Sequence, residues 1–434
     1  MRKSDTYKTL EENMFRRLPL LFMVAAVVLF AVIPALAQDD LVFGLVLVGP
    51  NDDRGWSTSH HEAGEYVVAN MPGATMLEFE SLNPADSPET TLMDVVELMV
   101  DEGASVIFTT SDSFEEDTNV VAAAFPDVTF INITGSNAIR SSSVIEGDHA
   151  IMHELPELPP ANVGNFNVYM ELPRMLAGCA AALTSESGHI GYLGALINPE
   201  TRRLAASSYL GARYCAENYR DDMMADDITF EVVWIGFWFN IPGVTLDPTE
   251  VAQGFLDGGA DVIISGIDTT EAITVAGQYT AEGDTSYGVP YGNVNGCSEA
   301  PEACIGAAYY NWGPAYLSVV ERAVAGEWSQ EWLWLEPKWD EINDDGIYTD
   351  TDVSVGGFVF GDALSMDTIE TLKAFAQEIH DFQTDPMHAG EMFLWSGPLN
   401  LQDGAELAGD MEPVSLLDIW FIPQLLEGMI GASE

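Results

Sequence analysis

The sequence predicts an α/β protein made of two doubly wound parallel-sheet lobes joined by a hinge. Three observations carry this expectation. Short apolar runs alternate with amphipathic stretches from Leu41 onward, the alternation is interrupted once near the middle, and 434 residues exceed what a single core usually organises. A hydrophobic content of 47% with 10 Trp supplies material for two cores.

In chain order, strands are expected at 41–49 (LVFGLVLVG), 74–80 (ATMLEFE), 105–110 (SVIFTT) and 128–135 (VTFINITG). A second set comes at 189–195 (HIGYLGA), 228–236 (ITFEVVWIG), 261–266 (DVIISG) and 286–293 (SYGVPYGN). Helices are expected between them, at 59–71, 88–103, 118–126, 172–187, 199–219, 248–259 and 270–283. A repeating βαβ series implies right-handed crossovers and a crevice at the carboxyl ends of the strands. Segment 136–171 is Pro-rich and poorly periodic, and a second βα series begins at Pro173. The expected organisation is 38–165 with about 296–330 in the first lobe, and 166–295 with about 331–365 in the second. Residues 366–434 form a C-terminal segment packed on the lobes.

Residues 1–37 are set apart from the fold. Arg16 and Arg17 precede an apolar run from Leu18 to Ala37 that ends in the small-x-small pattern Ala35-Leu36-Ala37. This reads as a signal peptide cleaved after Ala37; the rival reading is an uncleaved anchor helix, since about 20 apolar residues span a bilayer. The expected location is therefore outside the cytoplasm, in a periplasm or on the outer face of the cytoplasmic membrane.

Sixty-nine acidic residues face 15 basic ones, a net charge of -54. Nucleic acid and anionic membrane are excluded as partners, because both require basic patches. The charge fits a salty or acidic exterior, and equally a plain requirement for solubility. In an oxidising compartment the four cysteines invite pairing. Cys297 and Cys304 lie close across a turn-rich segment, and Cys179 and Cys215 lie in two helices flanking one strand. Spacing alone leaves both pairings, and free buried thiols, open.

Chemistry is expected at the strand ends. The loop from Gly49 to Gly64 sets Asn51, Asp52 and Asp53 just past the first strand, where carboxylates accept hydrogen bonds, with Trp56 offering a flat apolar face. Bare, such a loop is also an N-cap and turn. In the second lobe Trp238 comes after one strand, and Asp268 and Thr269 after the next. Aromatic groups from both lobes would sandwich a flat ligand; the bland reading for Trp234 and Trp238 is core packing. The sequence has no GxSxG, HExxH or phosphate-loop motif. A carboxylate hydrolase built on Asp52, Asp53 and Asp112 is the enzymatic alternative. No cofactor or metal is expected: His60 and His61 read as capping residues. Glu341, Asn343, Asp345, Gly346 and Asp352 only loosely match a calcium-loop pattern and read as an acidic hairpin turn.

The loop GPNDDRGWSTSHHEAG resembles the opening of the basic membrane protein family of ABC substrate-binding proteins, to which the PnrA-like purine nucleoside receptors belong. Further similar stretches run in order: 120–130, 174–200, 209–214, 258–263, 311–328 and 397–404. The resemblance implies a type I periplasmic-binding-protein fold with a small ligand, a purine nucleoside or nucleobase, held between the lobes. It implies delivery to an ABC permease and its ATPase, the partners that would bring the chain to the membrane; a ligand sensor without transport is the alternative. By the family pattern Asn51 and Asp52 or Asp53 would bind polar ligand edges, Trp56 would stack, Ser111 and Asp112 would line the first lobe, and Trp238 and Asp268 would act from the second. Asn293 and Asn295 stand where relatives often carry an acidic hinge residue.

Overall fold

The computed structural model describes residues 41–142, 155, 157–338, 340–348 and 353–434. The expected leader, 1–37, lies outside them.

The first βα series runs β1 (Val42–Val46), α1 (Trp56–Asn70), β2 (Thr75–Phe79), α2 (Leu92–Asp101), β3 (Val106–Thr109), α3 (Glu115–Ala124), β4 (Thr129–Ile133) and β5 (Val163–Val168). The second runs α4 (Glu171–Thr184), β6 (His189–Gly194), α5 (Pro199–Tyr219), β7 (Thr229–Trp234), α6 (Pro248–Asp257), β8 (Val262–Gly266), α7 (Glu271–Glu282) and β9 (Tyr287–Val289). Then come β10 (Tyr291–Gly292), β11 (Ala307–Tyr310), α8 (Gly313–Val324), β12 (Trp332–Leu335), β13 (Gly346–Ile347) and β14 (Gly356–Val359). The C-terminal segment adds α9 (Met366–Thr384), β15 (Leu399–Asn400), β16 (Glu406–Ala408), α10 (Leu416–Trp420) and β17 (Met429–Ile430).

Two parallel sheets organise these elements. The first has the order β2-β1-β3-β4-β5-β12, the second β17-β7-β6-β8-β9. Their inner strands are buried on both faces, as in β3 and β8, because helices cover each side; this is why they read as continuous apolar runs. A third, mixed sheet, β10-β11-β14-β13, lies where the chain passes between the two series. The strand expected at 286–293 is split by Pro290, which has no N–H to donate, and β10 joins the third sheet instead.

Of the strands absent from the sequence reading, three extend the two parallel sheets. β5 lies within 136–171, read as a Pro-rich, poorly periodic break, and pairs in register with β4. β12, in the stretch assigned to the second lobe, pairs with β5 in the first sheet. β17, at the end of the C-terminal segment, extends the second sheet beside β7.

Helices α4 and α5 cross at close range. A Cβ on Gly178 would lie 1.8 Å from the Ser208 carbonyl oxygen, and one on Gly211 would lie 2.1 Å from that of Met175, so both positions exclude any side chain. Cys179 and Cys215 form a disulfide across the same crossing, and Cys297 and Cys304 form a second one. The acidic stretch after 340 is a tight turn. Asn343 Oδ1 accepts from the N–H groups of Asp345 and Gly346, and Ile342 bridges Ile347 in antiparallel fashion. Asp352 lies outside the described residues, and among those described no cluster of His, Cys, Asp and Glu is arranged to hold a metal ion.

The two disulfides close loops of different length, with sequence separations of 36 and 7. On the loop-entropy account the first contributes about 4 kcal/mol and the second about 2. Replacing Cys179 and Cys215 together by Ala is expected to move the urea midpoint further than the same change at Cys297 and Cys304. The reverse order in matched denaturation curves would contradict this.

Candidate ligand site

The carboxyl ends of both parallel sheets open onto one narrow cavity. In a doubly wound sheet the crevice forms where strand order reverses, because adjacent crossovers depart there to opposite faces. That point lies between β1 and β3 in the first sheet and between β6 and β8 in the second. Val48 lies just past β1, Ser111 and Asp112 past β3, and Thr134 past β4; all four line the cavity. From the other side come Glu200, Trp238 and Asp268, which lie past β6, β7 and β8. Trp56 and Tyr291 complete the walls. The space is about 280 Å³ with its open mouth counted, and its walls stand so close that barely one water fits within.

Trp56 is fixed from behind. Its indole N–H donates to the Thr110 carbonyl at 2.7 Å, and its ring meets His60, Tyr310 and Trp312 edge-on with centroids 4.6, 5.1 and 5.5 Å away. His60 stacks on Trp312 and shares a 2.8 Å hydrogen bond with the Tyr316 hydroxyl. Full burial holds this imidazole well below its ordinary pKa, so it is a neutral packing element. Opposite, Trp238 is half-buried, and its carbonyl accepts from the Asp268 N–H at 2.9 Å.

Several contacts bind the two strand ends together. A Cβ on Gly55 would lie 1.8 Å from the Asp268 carbonyl oxygen, so the loops meet only because that position is glycine. Arg54 pairs with Glu299, Asn293 Nδ2 donates to Glu62 Oε2 at 3.0 Å, and Asn198 Nδ2 donates to Asp112 Oδ2 at 3.0 Å. Asn198 also caps α5, accepting from the Thr201 N–H at 2.8 Å, which fixes Glu200 in the first turn beside the cavity.

The cavity is electrostatically unusual. Burial raises the pKa of Asp112, and Glu200 is pushed up to about 7, first by burial, with Asp112 and Glu171 adding repulsion against the pull of Arg203. Asp268, 2% exposed, is pushed well above the carboxylate range by burial and then by Asp53, Glu200 and Asp112. Its carboxylate has no hydrogen-bond partner among the described residues. The nearby cations are engaged elsewhere. Arg203 Nε donates to Glu171 Oε1 at 2.8 Å; Arg174 donates to the Ser265 carbonyl at 2.6 Å and lies 4.0 Å over the Tyr291 ring.

Of the residues singled out in the sequence, Trp56, Ser111, Asp112, Trp238 and Asp268 share this cavity. The others stand elsewhere. Asp53 is consumed in capping α1: Oδ1 accepts from the N–H groups of Gly55 and Thr58, and Oδ2 from that of Ser57. Asn51 donates to Glu78 at 2.9 Å, and Asp52 is exposed. The Thr269 hydroxyl donates to Glu271, Asn293 faces Glu62, and Asn295 is exposed. Trp234 packs over Gly194 and donates to the Ala432 carbonyl at 2.7 Å. Glu200, Thr134 and Tyr291 are absent from the sequence reading. Thr134, at the end of a strand, obeys the same rule that flags Asp112. Glu200 in a helix first turn carries the ordinary signature of a dipole partner and gives no further sign of itself.

Residues 41–343 match the sequence profile of the family described as ABC transporter substrate-binding protein PnrA-like, and the chain belongs to that family. A purine-binding protein of Brucella abortus is 25% identical over 373 residues, covering 85% of this chain and 87% of its own. A Haloferax volcanii protein named as a putative glucose-binding component of an ABC transporter is 26% identical over 292 residues, 67% of this chain and 62% of its own. Among solved structures, an ABC-system solute-binding protein from Conexibacter woesei superposes with a TM-score of 0.52 at 19% identity, over 79% of this chain and 96% of that one. One from Aeropyrum pernix does so with a TM-score of 0.56 at 13% identity, over 81% and 95%. The fold is thus the type I one of periplasmic solute-binding proteins.

The raised pKa of Glu200 fixes the sign of its effect on stability. Above the ordinary value of 4.5 the unfolded chain ionises first, so stability is lost as pH rises toward about 7. Glu200→Gln removes that loss and is expected to stabilise the ligand-free protein by on the order of 3 kcal/mol at pH 8, and by much less at pH 5. Urea denaturation at the two pH values checks this; an equal gain at both would contradict it.

Proposed function

We propose that this PnrA-like substrate-binding protein captures a purine nucleoside or nucleobase between its two sheets, without chemical turnover, and presents it to an ABC permease outside the cytoplasm after export through its leader. The observation that carries the reading is the Asp268 carboxylate, buried in an aromatic-walled cavity with no partner of its own among the described residues. A buried carboxylate left unpaired costs several kcal/mol or stays protonated. A flat ring with N–H donors on its edge answers both requirements, giving Asp268 its hydrogen bonds and Trp56 and Trp238 an apolar face. The Brucella abortus relative, a purine-binding protein, supports the same class of ligand.

Capture is then governed by charge. Closure brings Asp112, on the first sheet, toward Glu200 and Asp268, on the second. Without donors between them the carboxylates oppose closure; a ligand that contacts both sides at once reverses the balance. The open-closed equilibrium shifts only by the difference in ligand affinity for the two states.

A thermal-shift screen over purines, pyrimidines, sugars and amino acids tests this, because a ligand bound only to the folded form raises the melting temperature. A purine is expected to give the largest shift. Asp268→Asn is expected to weaken that purine about tenfold or more, the value of one charge-assisted hydrogen bond, while raising the melting temperature of the ligand-free protein. Absence of a shift with every purine, or undiminished affinity in Asp268→Asn, would sink the proposal.

A further inference from the structure

Glu200 stands between two spaces. On one side is the cavity; on the other, Asp112, Thr134 and Glu200 border a more open groove of about 750 Å³, whose far wall is Trp420 and Phe421 at the end of α10. Among the described residues no histidine lines either space, so a response to mildly acidic pH has only carboxylates to come from.

The charged groups around Glu200 come from several elements. Asp112 and Thr134 face it from the first sheet, Arg203 from its own helix and Glu171 from α4. Asp53 and Asp268 complete the charge across the cavity, and Glu115 borders the groove. Arg203 is already engaged: it donates to Glu171, and its guanidinium lies 4.1 Å over the Trp420 ring.

These carboxylates differ in what satisfies them. Asp112 accepts from the Ser111 hydroxyl at 3.2 Å and from Asn198 at 3.0 Å, and Asp53 is spent on the start of α1. Asp268 receives its donors from the ligand on the purine reading. Glu200, 8% exposed, is left with Thr134 beside it. Closure creates this shortage. With the lobes apart, Glu200 stands in solvent in the first turn of α5, where the helix dipole favours its ionised form. With the lobes together, water is excluded and Asp112 is brought up to it. Neutralising a carboxyl of ordinary pKa 4.5 at pH 6 is unfavourable by only about thirtyfold, a smaller penalty than keeping an unpaired charge in a dry space.

We propose that capture is proton-linked: as the lobes close, Glu200 takes one proton from solvent, so the protein holds its ligand more tightly in an acidic exterior and releases it more readily in a neutral or alkaline one. This rests on the purine reading for the identity of the ligand and adds to it the regulation of the same site. Burial first, then Asp112 and Glu171 against the pull of Arg203, push Glu200 up to about 7 in the closed form. Closure therefore carries no ionisation penalty below the ordinary value of 4.5 and the full penalty above about 7.

Titration calorimetry of the full-length protein with adenosine, whose own groups do not titrate in this range, tests the link at pH 6 and pH 8 in pairs of buffers of unlike ionisation enthalpy. The wild type is expected to take up about one proton per ligand at pH 6 and close to none at pH 8, and to bind about tenfold more tightly at pH 6. Glu200→Gln is expected to abolish the uptake and bring the two affinities within about twofold of each other. A merely structural role for Glu200 would lower both affinities and leave their ratio unchanged, which overturns the proposal, as does wild-type binding without proton uptake at pH 6; either result leaves the purine reading standing. Small-angle scattering of the ligand-free protein gives a second readout. The radius of gyration is expected to fall between pH 8 and pH 6 in the wild type and to stay constant in Glu200→Gln, which controls for the change in net charge. If adenosine does not bind, the purine reading falls and the scattering decides the proton link: the same response in both proteins, or none in the wild type, overturns it.

Discussion

The architecture around the cavity turns on one constraint: carboxylates carried on opposite sheets face a shared, water-poor space, and the cations that would neutralise them are engaged elsewhere. Arg203 is bound to Glu171, and Arg174 is tied to Ser265 and lies over Tyr291. Two buried arginines therefore brace the walls without occupying the space. Had either pointed into the cavity, it would have filled the site with an internal salt bridge, and no incoming donor would find an unpaired acceptor. The cost falls on Asp268 and Glu200, both driven toward the protonated form. Burial energy from the cores on either side must sustain this local expense.

Rigid walls are what make such a cavity possible, and the chain supplies them by different means on the two sides. On the first, Trp56 belongs to an interlocked aromatic group with His60, Tyr310 and Trp312, so its face is set by packing. On the second, the α4–α5 crossing is tightened by Gly178 and Gly211 and fastened by the Cys179–Cys215 disulfide, which anchors the helix whose first turn carries Glu200. Between them, Gly55 lets the two strand-end loops touch. Each device trades conformational freedom for position, which is what a site needs if ligand contacts, and not wall adjustments, are to decide closure.

Much of this is legible in the sequence because parallel sheets impose a simple rule: residues just past the carboxyl end of a strand face the crevice. Trp56, Asp112, Trp238 and Asp268 are found by it. The rule fails where a local demand competes for the same side chain. Asp53 sits where a ligand contact is expected, yet the free N–H groups at the start of α1 need acceptors, and it supplies them. β5 escapes notice for a related reason. Its sequence VGNFNV lacks an apolar run, because Asn165 is buried to hold the Ala138 N–H and the Asn132 and Asn137 side chains in place. The contribution of the C-terminal segment cannot be read at all, since nothing in Leu416–Phe421 indicates that it lies against a groove bordered by Glu200, far away along the chain.

The position of the acidic groups also bears on a departure from the family pattern. The turn YGNVNG carries amides where relatives often carry an acid, which in sequence argues against a grip on ribose. In the fold Asn293 is spent on Glu62, joining the two halves, while the acids reach the cavity from Asp112 and from the first turn of α5. Carboxylates therefore reach the cavity from another direction, and the turn serves as a clasp. Residue type at a homologous position is a poor guide to binding when the chemistry required is only a carboxylate within reach, because any loop that opens on the same space can provide it.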